Sequence, residues 1–154
     1  VPNYKDGVGN YKGGQGGAKK VKQTSDITVT SSTTLVNTDL LYAMSVGKSY
    51  NIIGILAITS PAAADYKITF VKDGTLAYST AEWGHGGANM RIPEIAIGST
   101  STLGTNAAIQ IFAVFTSVIQ VTTAGTLTMQ FSQQTSNGGD TILHTGSYII
   151  VHEI

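Results

Sequence analysis

The sequence predicts an all-β fold: an antiparallel β-sandwich of jelly-roll type preceded by an extended N-terminal arm. Three observations carry this. Runs of Thr, Ser, Ile and Val are cut about every 8–12 residues by Gly, Asp, Asn or Pro, the punctuation of short strands. That spacing suits a sandwich or barrel. A chain of 154 residues fits one domain, and at that size folding hides roughly two-thirds of the unfolded surface without staples.

The elements follow in order. Residues 1–22, VPNYKDGVGNYKGGQGGAKKVK, are rich in Gly and nearly free of large aliphatic side chains. Such a segment cannot bury enough to offset its ordering entropy, so it reads as a flexible arm awaiting a partner. Its Tyr4 and Tyr11 sit in loose repeats, NYKDG and NYKGG. The body is placed at 23–154. Ile27–Thr30 reads as a short strand, with Thr33–Val36 pairing or continuing it. Leu40–Val46 and Tyr50–Thr59 follow, the latter stopped by Ser60-Pro61. Asp65–Lys72 alternates apolar and polar residues and ends at Asp73-Gly74, a hairpin signal leading into Thr75–Thr80. AEWGHGGANMR (81–91) reads as a Gly-rich loop, Ile92–Ile97 as a strand, and GSTSTLGTN as a polar loop. Ala107–Thr122 is the longest run. After Ala124-Gly125, Thr126–Gln134 sets Leu127, Met129 and Phe131 against Thr128, Gln130 and Ser132. SNGGD turns the chain into a closing strand, Thr141–Ile154. Only 61–65 and part of 81–91 leave room for a helical turn.

Charged residues make up 12% of the chain, about half the usual share. The formal net charge is zero. A neutral, hydroxyl-rich surface is poorly protected against association. The balance hides an asymmetry. Residues 1–22 hold five lysines against Asp6, a net +4, and the remainder is −4. A basic arm on an acidic body suits docking on an acidic neighbour, including a second copy. The chain has no cysteine, so neither disulfides nor thiolate metal sites are available. No apolar run reaches the ~18 residues of a membrane-spanning helix, and no membrane partner is expected.

Two strands fail to alternate. In Tyr50–Thr59 one face shows Tyr50, Ile52, Leu56 and Ile58, and the other Ile53, Ile55 and Ala57. In Ala107–Thr122 one face shows Ile109, Ile111, Ala113, Phe115, Ile119 and Val121. The other shows Gln110, Phe112, Val114, Thr116, Val118 and Gln120. An antiparallel sandwich strand ordinarily has one wet face. Apolar groups on both faces ask for a second cover, from this chain or from another subunit. Phe112, Val114, Val118, Ile53 and Ile55 are therefore the candidate oligomer interface. Tyr4, Tyr11, Lys19 and Lys20 are the candidate arm contacts.

Little points to catalysis. Of three histidines, His144 and His152 share parity in the closing strand. At ~3.3 Å per residue they sit too far apart there to share a metal. No Ser-His-Asp spacing, nucleophile elbow or His-Glu-x-x-His motif occurs. GGQGGAKK lacks the Gly-Lys-Ser/Thr ending of a phosphate loop. No catalytic, cofactor-binding or metal-ligating residue is assigned, no cofactor is expected, and the chain reads as a non-enzyme. A basic arm alone is weak support for nucleic-acid binding, so no nucleic-acid partner is expected. Trp83 and His85, in EWGHGG, form the candidate ligand loop. Trp83 there is either a stacking platform for a sugar or base, or an anchor to the core or a neighbour.

The stretch SDITVTSSTTLVNTDLLYAMSVGKSYNIIGILAITSPAAADYKITF resembles structural proteins of tailed-phage and virus-like particles. The residues that carry the likeness are Ser25–Val29, Ser32–Val36, Asp39-Leu40 and Gly47-Lys48-Ser49-Tyr50. Ser60-Pro61, Ala64-Asp65-Tyr66-Lys67 and the closing Leu143-His144-Thr145-Gly146-Ser147-Tyr148 complete it, so that it spans about residues 23–72 and 126–154. The resemblance implies a virion-surface component, such as a capsid decoration, head-fibre or tail-fibre module. It implies homo-oligomers, often trimers, with a jelly-roll-like body, and the major capsid protein or another virion protein as partner. It offers no catalytic residues. The competing expectation is a carbohydrate-binding module that recognises surface glycans through Trp83, His85 and Tyr78.

Overall fold

The computed structural model describes residues 4–5, 11–12, 17–73, 76–85, 91–92, 101–103 and 110–154, with side chains over 17–73 and 117–154. No helix occurs among them. The strands are β1 (Tyr4–Lys5), β2 (Tyr11–Lys12), β3 (Lys19–Lys22), β4 (Ile27–Val29), β5 (Val36–Met44), β6 (Ser49–Thr59) and β7 (Tyr66–Lys72). They continue as β8 (Leu76–His85), β9 (Arg91–Ile92), β10 (Ser101–Leu103), β11 (Gln110–Val121), β12 (Gly125–Gln133), β13 (Thr141–Leu143) and β14 (Tyr148–Glu153).

Two antiparallel sheets form the body. The smaller runs β10-β7-β12-β5, and the larger β3-β14-β6-β11-β8-β9, with β13 pairing both β4 and β6. From β5 to β8 each successive strand switches sheets, and β10, β11, β12 and β13 switch again. This weaving turns the alternation in the sequence into a core between two layers. β6 contributes Tyr50, Ile52, Leu56 and Ile58, the face expected from parity. β7 and β12 answer with Tyr66, Ile68, Phe70, Leu127, Met129 and Phe131, and all belong to one buried cluster. A fully buried Ile or Phe contributes about 1.5–3 kcal/mol over its exposed state, so these residues supply the drive for closing the sandwich. Tyr50 is tolerated there because its hydroxyl accepts the Ser45 N–H at 2.9 Å and its ring meets Tyr42 edge-on at 5.9 Å between centroids.

Several expectations change. Asp73-Gly74 is not a hairpin corner, because β7 and β8 lie in different sheets. Asp73 instead clamps the start of β12. Its carboxylate accepts the Thr126 N–H, and its own N–H donates to the Thr126 carbonyl at 3.3 Å. A Cβ on Gly125 would overlap the Asp73 carbonyl, so the close approach requires glycine there. The strand expected at Leu40 begins at Val36. Its polar Thr38 is absorbed where the β12–β5 register shifts between Thr128 and Gln130, its hydroxyl donating to the Met129 carbonyl at 3.0 Å. The polar run GSTSTLGTN contains β10, paired with β7. Residues 81–85, expected in a loop, finish β8 and pair with β11. The strand expected at Ile92–Ile97 appears as β9, two residues long, and 93–97 lie outside the described residues.

The closing strand is interrupted at 144–147 and continues as β14, so His144 sits in a turn. Its neighbour is interrupted at the same level, because β3 pairs β14 and β4 pairs β13 with 23–26 between them. Lys19–Lys22, expected in the arm, thus form an edge strand of the body. Nearer the N-terminus, β1 and β2 pair with each other, Tyr4 opposite Lys12 and Lys5 opposite Tyr11, so the two Tyr-Lys pairs form a ladder.

Candidate functional site

The outer face of the larger sheet is where the sequence placed an interface. On β6 the residues out of phase with the core are Asn51, Ile53, Ile55, Ala57 and Thr59. Ile53 is 45% exposed and, on β11, Val118 is 36% exposed. Ile55 and, on β14, Ile150 are half-buried. The ladder gathers them: Ile53 stands opposite Ile150 on one side and Thr116 on the other, and Ile55 stands between Tyr148 and Val114. Directly opposed residues lie about 4.5–5.5 Å apart at Cβ. The aliphatic groups therefore form one patch. Phe112 and Val114 fall opposite Ala57 and Ile55 in the register, while their side chains lie outside the described residues.

Polar groups edge the patch. Asn51 stands between Val118 and His152, and its Oδ1 is buried with no hydrogen-bond partner among the described residues. At the other side, Lys20 Nζ lies 3.7 Å from the centre of the Tyr148 ring, a cation–π contact of about 0.5–1 kcal/mol when exposed. Lys20 is thereby placed on β3 at the rim of the face, opposite Ile150, whereas Lys19 stands opposite the buried Val151 with the other parity, and Tyr4 and Tyr11 belong to the separate β1-β2 pair. Trp83 and His85 lie in β8, Trp83 opposite Phe115 and Ile92 and His85 opposite Ala113. Their side chains lie outside the described residues.

A polar seam fills the double interruption beside this face. Ser147, fully buried, accepts the Ala57 N–H at 3.0 Å, and the Gln23 N–H donates to the Ser147 carbonyl at 3.0 Å. The buried Gln23 side chain reaches across to β5, where Asp39 also takes the Thr24 amide at 3.0 Å and the Thr24 hydroxyl. Those Thr24 donors, hydroxyl first, hold the Asp39 carboxyl below its ordinary range. On the outer side, His144 Nδ1 lies 3.0 Å from Asp26 Oδ2 and His144 Nε2 lies 2.8 Å from Thr59 Oγ1. Asp26 Oδ1 accepts the Thr145 N–H at 2.9 Å. That amide first, and the His144 ring second, hold the Asp26 carboxyl below its ordinary range.

Positions 26, 59 and 144 are too far apart in sequence for any motif to join them. The break that turns the closing strand at His144 is written only in Thr145-Gly146-Ser147, a short polar interruption that is easily passed over between the apolar runs on either side. Among the described residues no three His, Cys, Asp or Glu side chains come together in a way that would hold a metal ion. Compared with protein-family models, curated proteins and solved structures, the chain matches none.

Proposed function

We propose that the protein is a non-enzymatic structural component of a virus-like particle, a capsid decoration or fibre protein on the particle surface. In this reading it self-associates through the outer face of its larger sheet, and the N-terminal segment tethers it to a capsid or other virion protein. One observation carries the proposal: Ile53, Ile55, Val118 and Ile150 form an aliphatic patch on a face that an isolated sandwich leaves to water. Ile53 and Val118, at 45% and 36% exposure, keep much of the burial energy that a covering subunit would release. The strand order adds support. The smaller sheet's order β5-β12-β7-β10 and the first four strands of the larger, β3-β14-β6-β11, which β8 and β9 extend, support reading the sandwich as a jelly roll, an architecture used by viral capsid and lectin domains. The basic residues 1–22 and acidic remainder suit neighbour-to-neighbour contact.

The test is the mass of the full chain in solution at micromolar concentration, by light scattering or sedimentation. A stable homo-oligomer is expected, and Ile53→Glu or Val118→Glu should dissociate it while leaving the thermal melt of the sandwich in place. A wild-type chain that remains monomeric across that range overturns the reading.

A further inference from the structure

The turn between β12 and β13 carries the only Asn-Gly step in the chain, Asn137-Gly138. Gln133, fully buried at the end of β12, fastens that turn. Its Oε1 accepts the Asn137 N–H at 3.0 Å and the Ser32 N–H at 3.2 Å. Its Nε2 donates to the Asn137 carbonyl at 3.1 Å and to the Gly139 carbonyl at 2.7 Å. The Asn137 carbonyl also accepts the Ser31 N–H at 2.9 Å.

Within this frame the parts of a ring closure are assembled. Asn137 Oδ1 accepts the Gly139 N–H at 2.8 Å, a side-chain turn that folds the carboxamide forward over Gly138. The Asn137 Nδ2 and the Gly138 N–H have no hydrogen-bond partner among the described residues. Gly138 is exposed, and a Cβ there would meet nothing within 4 Å. The nucleophile and the leaving group are therefore free, while the carbonyl oxygen between them is held. As Gly138 N closes on Asn137 Cγ, negative charge grows on Oδ1, where the Gly139 N–H already stands. A donor placed in advance on such an oxygen lowers the barrier to acyl transfer.

We propose that Asn137 is a self-modification site, which the folded turn drives through a succinimide to aspartate and isoaspartate. A solvent base takes the Gly138 N–H proton, and the nitrogen bonds to Asn137 Cγ. The Cγ–Nδ2 bond breaks, and Nδ2 leaves as ammonia with a proton returned by solvent. Water then opens the ring. Cleavage at Cγ gives aspartate, and cleavage at the main-chain carbonyl gives isoaspartate with one more carbon in the backbone. Nothing is oxidised or reduced, and water is the only co-reactant. Either product adds a carboxylate to the turn that holds Asp140, and isoaspartate disturbs the spacing of residues 137 and 139 that Gln133 spans. This inference is independent of self-association.

Peptide mapping tests it, on the full chain incubated folded at mildly alkaline pH beside the same chain unfolded in urea. The peptide containing Asn137 should gain the mass difference between water and ammonia, divide into aspartate and isoaspartate forms, and release ammonia to match. The folded chain should convert about tenfold faster than the unfolded one, a modest part of what a preorganised oxyanion donor supplies in enzymes. Gly138→Ala fits the open space without a positive φ, so it should melt like the wild type while converting severalfold more slowly. Gln133→Glu keeps the side chain's size but cannot donate to the two carbonyls, and should bring the folded rate down to that in urea. A folded wild type that converts Asn137 no faster than the unfolded chain overturns the proposal. So does a mass gain that maps to other amides while Asn137 stays intact.

Discussion

The Gln23 carboxamide oxygen accepts the Asp39 N–H at 3.1 Å, and its nitrogen donates to the Ser25 carbonyl at 2.8 Å. This joins the interrupted edge of the larger sheet to β5, the edge strand of the smaller one. A strand edge presents backbone groups that need partners. Here a side chain from the opposite sheet supplies one.

Replacing Gln23 by alanine should therefore destabilise the fold by about 2–3 kcal/mol, because it leaves a part-buried amide unpaired as well as removing a buried side chain. Gln23→Met, which keeps the volume, should recover only part of the loss. Denaturant titration of the two variants beside the wild type measures both.

Acid should weaken the same seam. Asp26 and Asp39 both have folded-state pKa values below the ordinary 3.8, so the unfolded chain binds protons at a pH where the folded chain does not. The stability they contribute is present above 3.8 and is lost as pH falls through that value toward their folded pKa values. Melting temperature followed downward from neutral pH should drop most steeply below that point. Asp39→Asn and Asp26→Asn should each flatten the drop. If neither variant alters it, these carboxylates are not what acid acts on.

Much of the fold was legible in the sequence, and the parts that were not share a cause. Tyr50, Ile52, Leu56 and Ile58, and likewise Leu127, Met129 and Phe131, carry a two-residue period that burial imposes directly, so their faces followed from spacing. Asp73-Gly74 misled because a turn dipeptide reports a local reversal, not which sheet the next strand joins. β10 was hidden because an edge strand of Ser-Thr-Leu needs little apolar surface. The patch was foreshadowed by the two-faced pattern of β6 and β11. The Asp26, Thr59 and His144 constellation was not, because it exists only where two interrupted strands and the end of a third meet.

Tyr66 makes the opposite prediction to Gln23. Its side chain is fully buried in β7, yet its hydroxyl has no hydrogen-bond partner among the described residues, and burial pushes the phenol well above its usual range. A buried hydroxyl without a partner carries a desolvation penalty of about 1–3 kcal/mol. Tyr66→Phe removes that group and keeps the ring, so it should leave stability unchanged or raise it by about 1 kcal/mol. A loss of more than that would mean the hydroxyl is satisfied from outside the described residues.

β3 tests how the sandwich protects its own edge. It pairs with β14 on one side and stands at the end of the larger sheet, so its other side faces away from the ladder. Three of its four residues, Lys19, Lys20 and Lys22, are exposed lysines. Like charges on an edge strand repel a second copy that would otherwise add to the sheet. Replacing all three with threonine keeps strand propensity and removes the repulsion. The variant should fold with a melt close to wild type, apart from the small loss of the Lys20–Tyr148 contact. It should form higher aggregates at concentrations where the wild type does not, and raised salt should move the wild type in the same direction. Because this association runs edge to edge, adding Ile53→Glu on the outer face should not suppress it. Suppression by Ile53→Glu would show that the lysines guard the aliphatic face and not the strand edge.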